Sequence, residues 1–167
     1  HLSLRRQRQM CIRDRMLSPG SGNTVIKSNL ISRRMFLITA AKAIIRYEGG
    51  AFPNETYELG AQSAFASYDL DAVKTEAFNV LTNRPTQAAY RAPGAPQSIY
   101  AVESVIDELC QHFNLDPLYV RILNAAKKGT KSSYGPTFDD IGLKATLEAA
   151  KDHPHYHAPV SYTHLTL

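Results

Sequence analysis

The chain has 167 residues, 44% hydrophobic and 20% charged, an ordinary globular balance for about one domain. Nine glycines and nine prolines are too few for a low-complexity or collagen-like chain, and no apolar run reaches the ~18 residues of a membrane-spanning helix. The net charge of +4 is uneven, because residues 1–15 hold five arginines against Asp14 alone while residues 16–167 carry 14 basic and 14 acidic groups. A neutral body behind a basic arm without interleaved aromatics or a following recognition helix excludes nucleic acid as the expected partner.

The first 15 residues lack the apolar core of a secretory signal. CIRDR (11–15) and the closing SYTHLTL (161–167) look like translated sequencing-adapter fragments. Residues 1–15 are therefore expected to be a non-native or disordered arm and 161–167 a non-native tail, around a body of 16–160 cut from a longer protein. Cys11 and Cys110 form neither a disulfide framework nor a zinc site, and they point to a reducing, cytoplasmic compartment, with a periplasmic parent as the alternative.

Within the body, Leu37–Tyr47 alternates with period two, has one apolar side and ends at Gly49-Gly50, which predicts a strand closed by a turn. A short helix is expected over 60–67 and a second strand over Val73–Thr82. Ile99, Val102, Ile106, Leu109 and Phe113 recur at steps of three and four, one stripe of an amphipathic helix over 96–113. Pro96 suits its first turn. Asp116-Pro117 then offers a cap and first position for a helix to about Ala126, and a further helix is expected from Phe138 or Asp139 to Lys151. Strands followed by helices indicate an α+β fold.

Chemistry concentrates between the second strand and the long helix. There Tyr90-Arg91-Ala92-Pro93-Gly94-Ala95-Pro96 sets one arginine among small and rigid residues. Gly94 permits positive φ, and the helix start offers N–H groups and a positive dipole to an anion. Arg91 adds a planar, permanently charged fork. These features alone fit either an anion-binding turn or a rigid turn with a surface arginine.

AYRAPGAPQ (89–97), AVESVIDELC (101–110) and LDPLYVRILNAAKKGT (115–130), preceded by YEGGAFP (47–53) and YDLDAVKTEAFNVLTN (68–83) and followed by LEAAKDHPHY (147–156), closely resemble the molybdenum-cofactor subunit of the xanthine dehydrogenase and aldehyde oxidase family. The resemblance covers about 38–156. It implies a fragment of a molybdopterin-binding domain. The parent would be an oxidoreductase that hydroxylates aldehydes or heteroaromatics with oxygen from water, using molybdenum-molybdopterin and passing electrons to iron-sulfur clusters and FAD on partner domains or subunits. By resemblance, Tyr90, Arg91, Ala92 and Gly94 contact the cofactor and Pro93 faces the substrate. The family's glutamate base lies outside this stretch, so the fragment is expected to be inactive alone. Purine-oxidising relatives carry phenylalanine at the Pro93 position and an arginine ahead of Tyr68; residues 47–83 contain no arginine, which argues against xanthine. Ala92 stands where carbon monoxide dehydrogenases place a copper-binding cysteine, and alanine binds no copper.

Three other features have simpler readings. His153, His155 and His157 would share one face of an extended chain, but nothing nearby completes a metal shell, and no metal site is assigned. Glu103, beside the apolar stripe, is expected to pair with Arg121. Cys110 reads as a small core filler. The alternative to the family reading is a small self-standing binding module without catalytic activity.

Overall fold

The computed structural model describes residues 10–17, 25–33 and 36–158. Four strands, β1 (Met10–Leu17), β2 (Val25–Arg33), β3 (Leu37–Gly50) and β4 (Ala72–Leu81), lie in that order in one sheet. β1, β2 and β3 pair antiparallel, whereas β4 runs parallel to β3. A parallel pair needs a crossover, here carried by α1 (Thr56–Ser63). Four helices follow: α2 (Ala95–Phe113), α3 (Pro117–Asn124), α4 (Leu143–Asp152) and the single turn α5 (Pro154–His157). This is the α+β architecture expected. No helix among the described residues is long and apolar enough to cross a membrane.

β3 is the central element, and its burial shows why its sequence alternates. Ala41, Ala43, Ile45 and Tyr47 are buried in the core with Phe65 of the crossover and Val102, Val105, Ile106 and Leu109 of α2. Ile38 is buried too, although it has the opposite parity. A β-bulge resolves this: Ile31 and Ser32 of β2 stand opposite Ala40 and Ile38, so β3 has one extra residue there, at Thr39. One residue of slip exchanges the faces of a strand, which turns Ile38 inward.

The bulge is secured by Asn124, at the end of α3 and fully enclosed. Its Oδ1 accepts the Ile38 N–H at 2.7 Å, and its Nδ2 donates to the carbonyls of Phe36 (3.1 Å) and Val120 (2.7 Å). Around it, Arg121 joins α3 to α2, with Nε 2.8 Å from Glu103 and Nη2 2.9 Å from Asp107. Tyr68 donates to the other Glu103 oxygen at 2.7 Å. The expected Glu103–Arg121 pair is therefore present, and Cys110 is a buried core residue.

Several details depart from the sequence expectations. The stripe of α2 is rotated: Ile99 is 39% exposed, while Ser98 and Ala101 take the inner face. α1 begins four residues earlier than expected because the Asn54 side chain accepts the Thr56 N–H at 3.1 Å and opens the first turn. α4 begins only at Leu143, since Phe138 is held in a bridged loop by Gly129 N–H to Phe138 O and Phe138 N–H to Thr130 O, both 2.9 Å. Part of the expected arm is also a strand. The backbone of Met10–Leu17 pairs with β2 over eight consecutive positions, pairing that no alternation in those residues announces. Residues 1–9 and the tail 161–167 lie outside the described residues.

Two expected outcomes test this frame. Asn124→Ala should leave the buried Ile38 N–H without its acceptor, remove the side-chain bonds to the Phe36 and Val120 carbonyls and cost about 1–3 kcal/mol, read as a lower urea midpoint at unchanged slope. Asp116 caps α3 as expected, its Oδ1 accepting Leu118 N–H at 2.7 Å and Tyr119 N–H at 2.9 Å, and it also receives the Tyr156 hydroxyl at 2.8 Å. Slight burial pushes its pKa up, but these hydrogen bonds outweigh it and leave the carboxyl below its ordinary value. Its stabilising contribution should thus be complete above the unfolded value of about 3.9 and be lost as pH falls through the lower folded one. Asp116→Asn should flatten that acid limb in a stability-against-pH series; an unchanged limb would contradict the assignment.

Candidate functional site

The site begins where β3 ends. Gly49 and Gly50 are crossed by the segment after β4: Thr82 N–H donates to Gly50 O (2.9 Å), Gln87 N–H to Gly49 O (3.2 Å) and Ala51 N–H to Arg84 O (2.9 Å). Gly50 has φ 78°, and a side chain there would run into the Pro85 backbone. Glu48 fixes the crossing, accepting from Thr82 Oγ1 at 2.8 Å and pairing with Arg84. Gly50 thus lets the 82–87 segment lie across the strand end and carry the chain on to the start of α2, while the Asn79 side chain of β4 fills the space beside Gly49.

There they line an open cleft of ≈ 370 Å³ with Tyr47, Thr56, Gln87 and Gln97, within the size range of small-molecule sites. All five sequence-predicted residues line it: Tyr90, Arg91, Ala92, Pro93 and Gly94. Tyr90 is 89% exposed, and only Gly94 is buried. The turn is strained, with φ of 21° at Arg91, 60° at Ala92 and 75° at Gly94. Residues with side chains held there cost about 1–3 kcal/mol each and mark functional segments more often than others.

A second close approach sets the turn's depth. The missing Cβ of Gly94 faces Thr56 O and the Gly60 backbone, and the missing Cβ of Gly60 faces the Tyr47 hydroxyl and Gly94 O. α1 and the turn therefore meet backbone to backbone. The Tyr47 hydroxyl donates to Gly94 O at 2.6 Å and lies 2.5 Å from Ser98 Oγ. Burial raises the Tyr47 pKa, against a smaller lowering by the Ser98 hydrogen bond, so the phenol stays protonated and able to donate.

The helix start is less open than the sequence suggested. Ala95 N–H is used by Ala92 O (3.2 Å), Ser98 N–H by Gly94 O (3.3 Å), and Pro96 has none. Cationic character comes instead from Arg91, exposed and without an ion pair among the described residues. Gln97 adds a buried side-chain carbonyl oxygen with no hydrogen-bond partner among the described residues. No carboxylate, imidazole or thiol is among the lining residues. A ligand that carries negative charge fits the exposed guanidinium.

Sequence reasoning passed over Tyr47, Gly60 and Gln97 as site residues. A glycine inside an amphipathic stretch was the available signal for Gly60; nothing marked Tyr47, whose role comes from a partner 47 positions away. The histidines do not share an extended face. Pro154–His157 is a helical turn in which His153 Nδ1 accepts the His155 N–H (3.1 Å) and His157 Nε2 contacts Lys151 O (2.7 Å). Pro154 fits the first turn of a helix as well as it fits extended chain, and the capping histidine decides for the helix.

The family model described as molybdopterin cofactor-binding domain matches residues 14–125. The chain is 35% identical over 86 residues to the nicotinate dehydrogenase large molybdopterin subunit of Eubacterium barkeri, covering 51% of this chain and 20% of that protein. It is 31% identical over 99 residues to the aldehyde oxidoreductase of Megalodesulfovibrio gigas, covering 59% and 11%. Among solved structures, the aldehyde oxidoreductase from Desulfovibrio desulfuricans superposes with TM-score 0.74 at 24% identity, over 81% of this chain and 15% of that one. Quinoline 2-oxidoreductase from Pseudomonas putida gives 0.71 at 20%, over 79% and 18%. The superpositions establish a shared fold, and the chain spans a fifth or less of the length of each of these relatives.

The glycine contact makes a prediction with an unusual sign. Gly→Ala inside a helix ordinarily stabilises by about 1 kcal/mol, but at Gly60 the added methyl meets the Tyr47 hydroxyl and Gly94 O. Gly60→Ala should destabilise by about 1–3 kcal/mol, as overpacking does. A raised melting temperature would show that the approach is loose.

Proposed function

Because the chain belongs to the molybdopterin cofactor-binding domain family, we propose that its cleft forms one wall of the cofactor site of a longer molybdenum hydroxylase large subunit. The observation that carries this reading is the strained Arg91–Gly94 turn, which brings a guanidinium with no ion pair among the described residues to a cleft that Gln97 also lines. Arg91 would hold the anionic part of the molybdopterin through charge-assisted hydrogen bonds. Gln97 would accept from N–H groups of the ring system, and Ala92 and Gly94 allow the backbone to come close. When bound, the group supplies the oxidation chemistry, inserting water-derived oxygen into an aldehyde or an electron-poor heteroaromatic. This chain's part is to bind, orient and exclude water, and the base comes from elsewhere in the parent. Pro93 would face the substrate as a small apolar wall. Electrons would pass to iron-sulfur and flavin domains or subunits, and the reducing compartment read from the two cysteines would be the cytoplasm.

The test is Arg91→Ala in the full-length subunit. Charge-assisted bonds contribute about 1.5–3 kcal/mol, so molybdenum per polypeptide or turnover should fall about 10- to 100-fold. The melting temperature should hold, since Arg91 is exposed and outside the core. Arg91→Lys should recover only part of the loss, lacking the planar fork. Wild-type molybdenum content and turnover in Arg91→Ala would reduce the arginine to a surface residue on a rigid turn.

A further inference from the structure

Tyr47 is 3% exposed and yet lines the cleft. Its hydroxyl has one proton, and the Gly94 carbonyl at 2.6 Å can only accept, so the proton is committed to Gly94. The Ser98 hydroxyl, on a residue that is 0% exposed and 2.5 Å away, must then donate to the Tyr47 oxygen. The result is a directed chain from Ser98 through Tyr47 to Gly94, in which each bond polarises the next.

The chain ends on the last residue of the strained turn. Strained backbone persists only where its surroundings over-determine it, and two kinds of constraint act on Gly94. The approach of Gly60 and Thr56 O is steric and limits how far the turn can move toward α1. It does nothing to stop the turn from lifting away. The Ser98 N–H bond to Gly94 O, at 3.3 Å, joins the turn only to the helix that continues it. Among the described residues, Tyr47 alone ties the turn to the sheet through that carbonyl.

We propose that Tyr47, oriented by Ser98, is a positioning residue for the cofactor cleft: it acts through Gly94 to keep the Arg91–Gly94 turn in the conformation that presents Arg91. The proposal rests on the reading of the cleft as a cofactor wall and assigns that site its mechanical anchor. Tyr47→Phe keeps the ring in the core and removes the tie. Ser98→Ala keeps the tie and removes only its support, so its effect should be smaller and of the same sign.

Two readouts in the full-length subunit test it. In the cofactor-free protein, trypsin cleavage at the Arg91–Ala92 bond, identified by mass spectrometry, reports how often the turn opens. Tyr47→Phe should speed that cleavage about tenfold and Ser98→Ala about threefold. Ile45→Val, a core change two residues earlier on the same face of β3, should leave it within twofold. In the cofactor-loaded protein, Tyr47→Phe should lower molybdenum content about five- to tenfold, and the Tyr47→Phe/Arg91→Ala double variant should be no worse than Arg91→Ala alone, because both act through one guanidinium. Unchanged cleavage in Tyr47→Phe, cleavage matching that of Ile45→Val, or additive losses in the double variant would overturn the proposal. Faster cleavage in Tyr47→Phe together with wild-type molybdenum content in Arg91→Ala would instead overturn the reading of the cleft, and the cofactor role of Tyr47 with it, while supporting the mechanical tie.

Discussion

Two backbones meet without side chains between them at Gly60 and Gly94, and the shape of the cleft depends on that contact. α1 belongs to the crossover between β3 and β4, whereas Gly94 opens α2, the helix that covers the core. A Cβ on either residue would push them apart, and one on Gly60 would also displace the Tyr47 hydroxyl lodged beside it. The turn carrying Arg91 is therefore located by the sheet and the crossover together rather than by its own sequence. Its positive φ angles at Arg91 and Ala92 are tolerable because the residues on both sides are fixed.

The polar groups divide between two tasks. Asn124, Glu103, Arg121 and Tyr68 are satisfied by one another and by backbone, and they join α2 and α3 to the start of β3. Buried polar groups arranged in this way specify one packing, since any slip strands several of them. At the other end of β3 the arrangement is incomplete: among the described residues the Gln97 oxygen has no partner and Arg91 no counter-ion. The contrast between a closed network and an open one separates the part of the fold that stabilises from the part proposed to bind.

Much of this was legible in the sequence because it is local. Pro96 and Gly94 mark the start of α2, Asp116-Pro117 the start of α3, and the alternation over Leu37–Tyr47 is a strand. The ordered motifs from YEGGAFP to LEAAKDHPHY name a family that the match over residues 14–125 confirms. Other features depend on distant partners and left no local trace. Ser98 replaces Ile99 on the inner face because it must meet Tyr47. The bulge at Thr39 is defined only by β2, whose residues carry no clear alternation. Pairing rather than pattern makes Met10–Leu17 a strand.

The crossover also imposes an order on assembly. Pairs such as those within α2 form over a few residues, while the bonds that shape the cleft join positions 47 and 51 apart in the chain. Loop closure over such spans is entropically costly and is repaid only once β3, α1 and α2 are already packed. The cleft therefore takes its shape only as these elements come together, as do the still longer-range Asn124 bonds at the other end of β3. An anionic ligand that fitted the finished cleft would hold those contacts together and shift the balance toward the folded state by mass action.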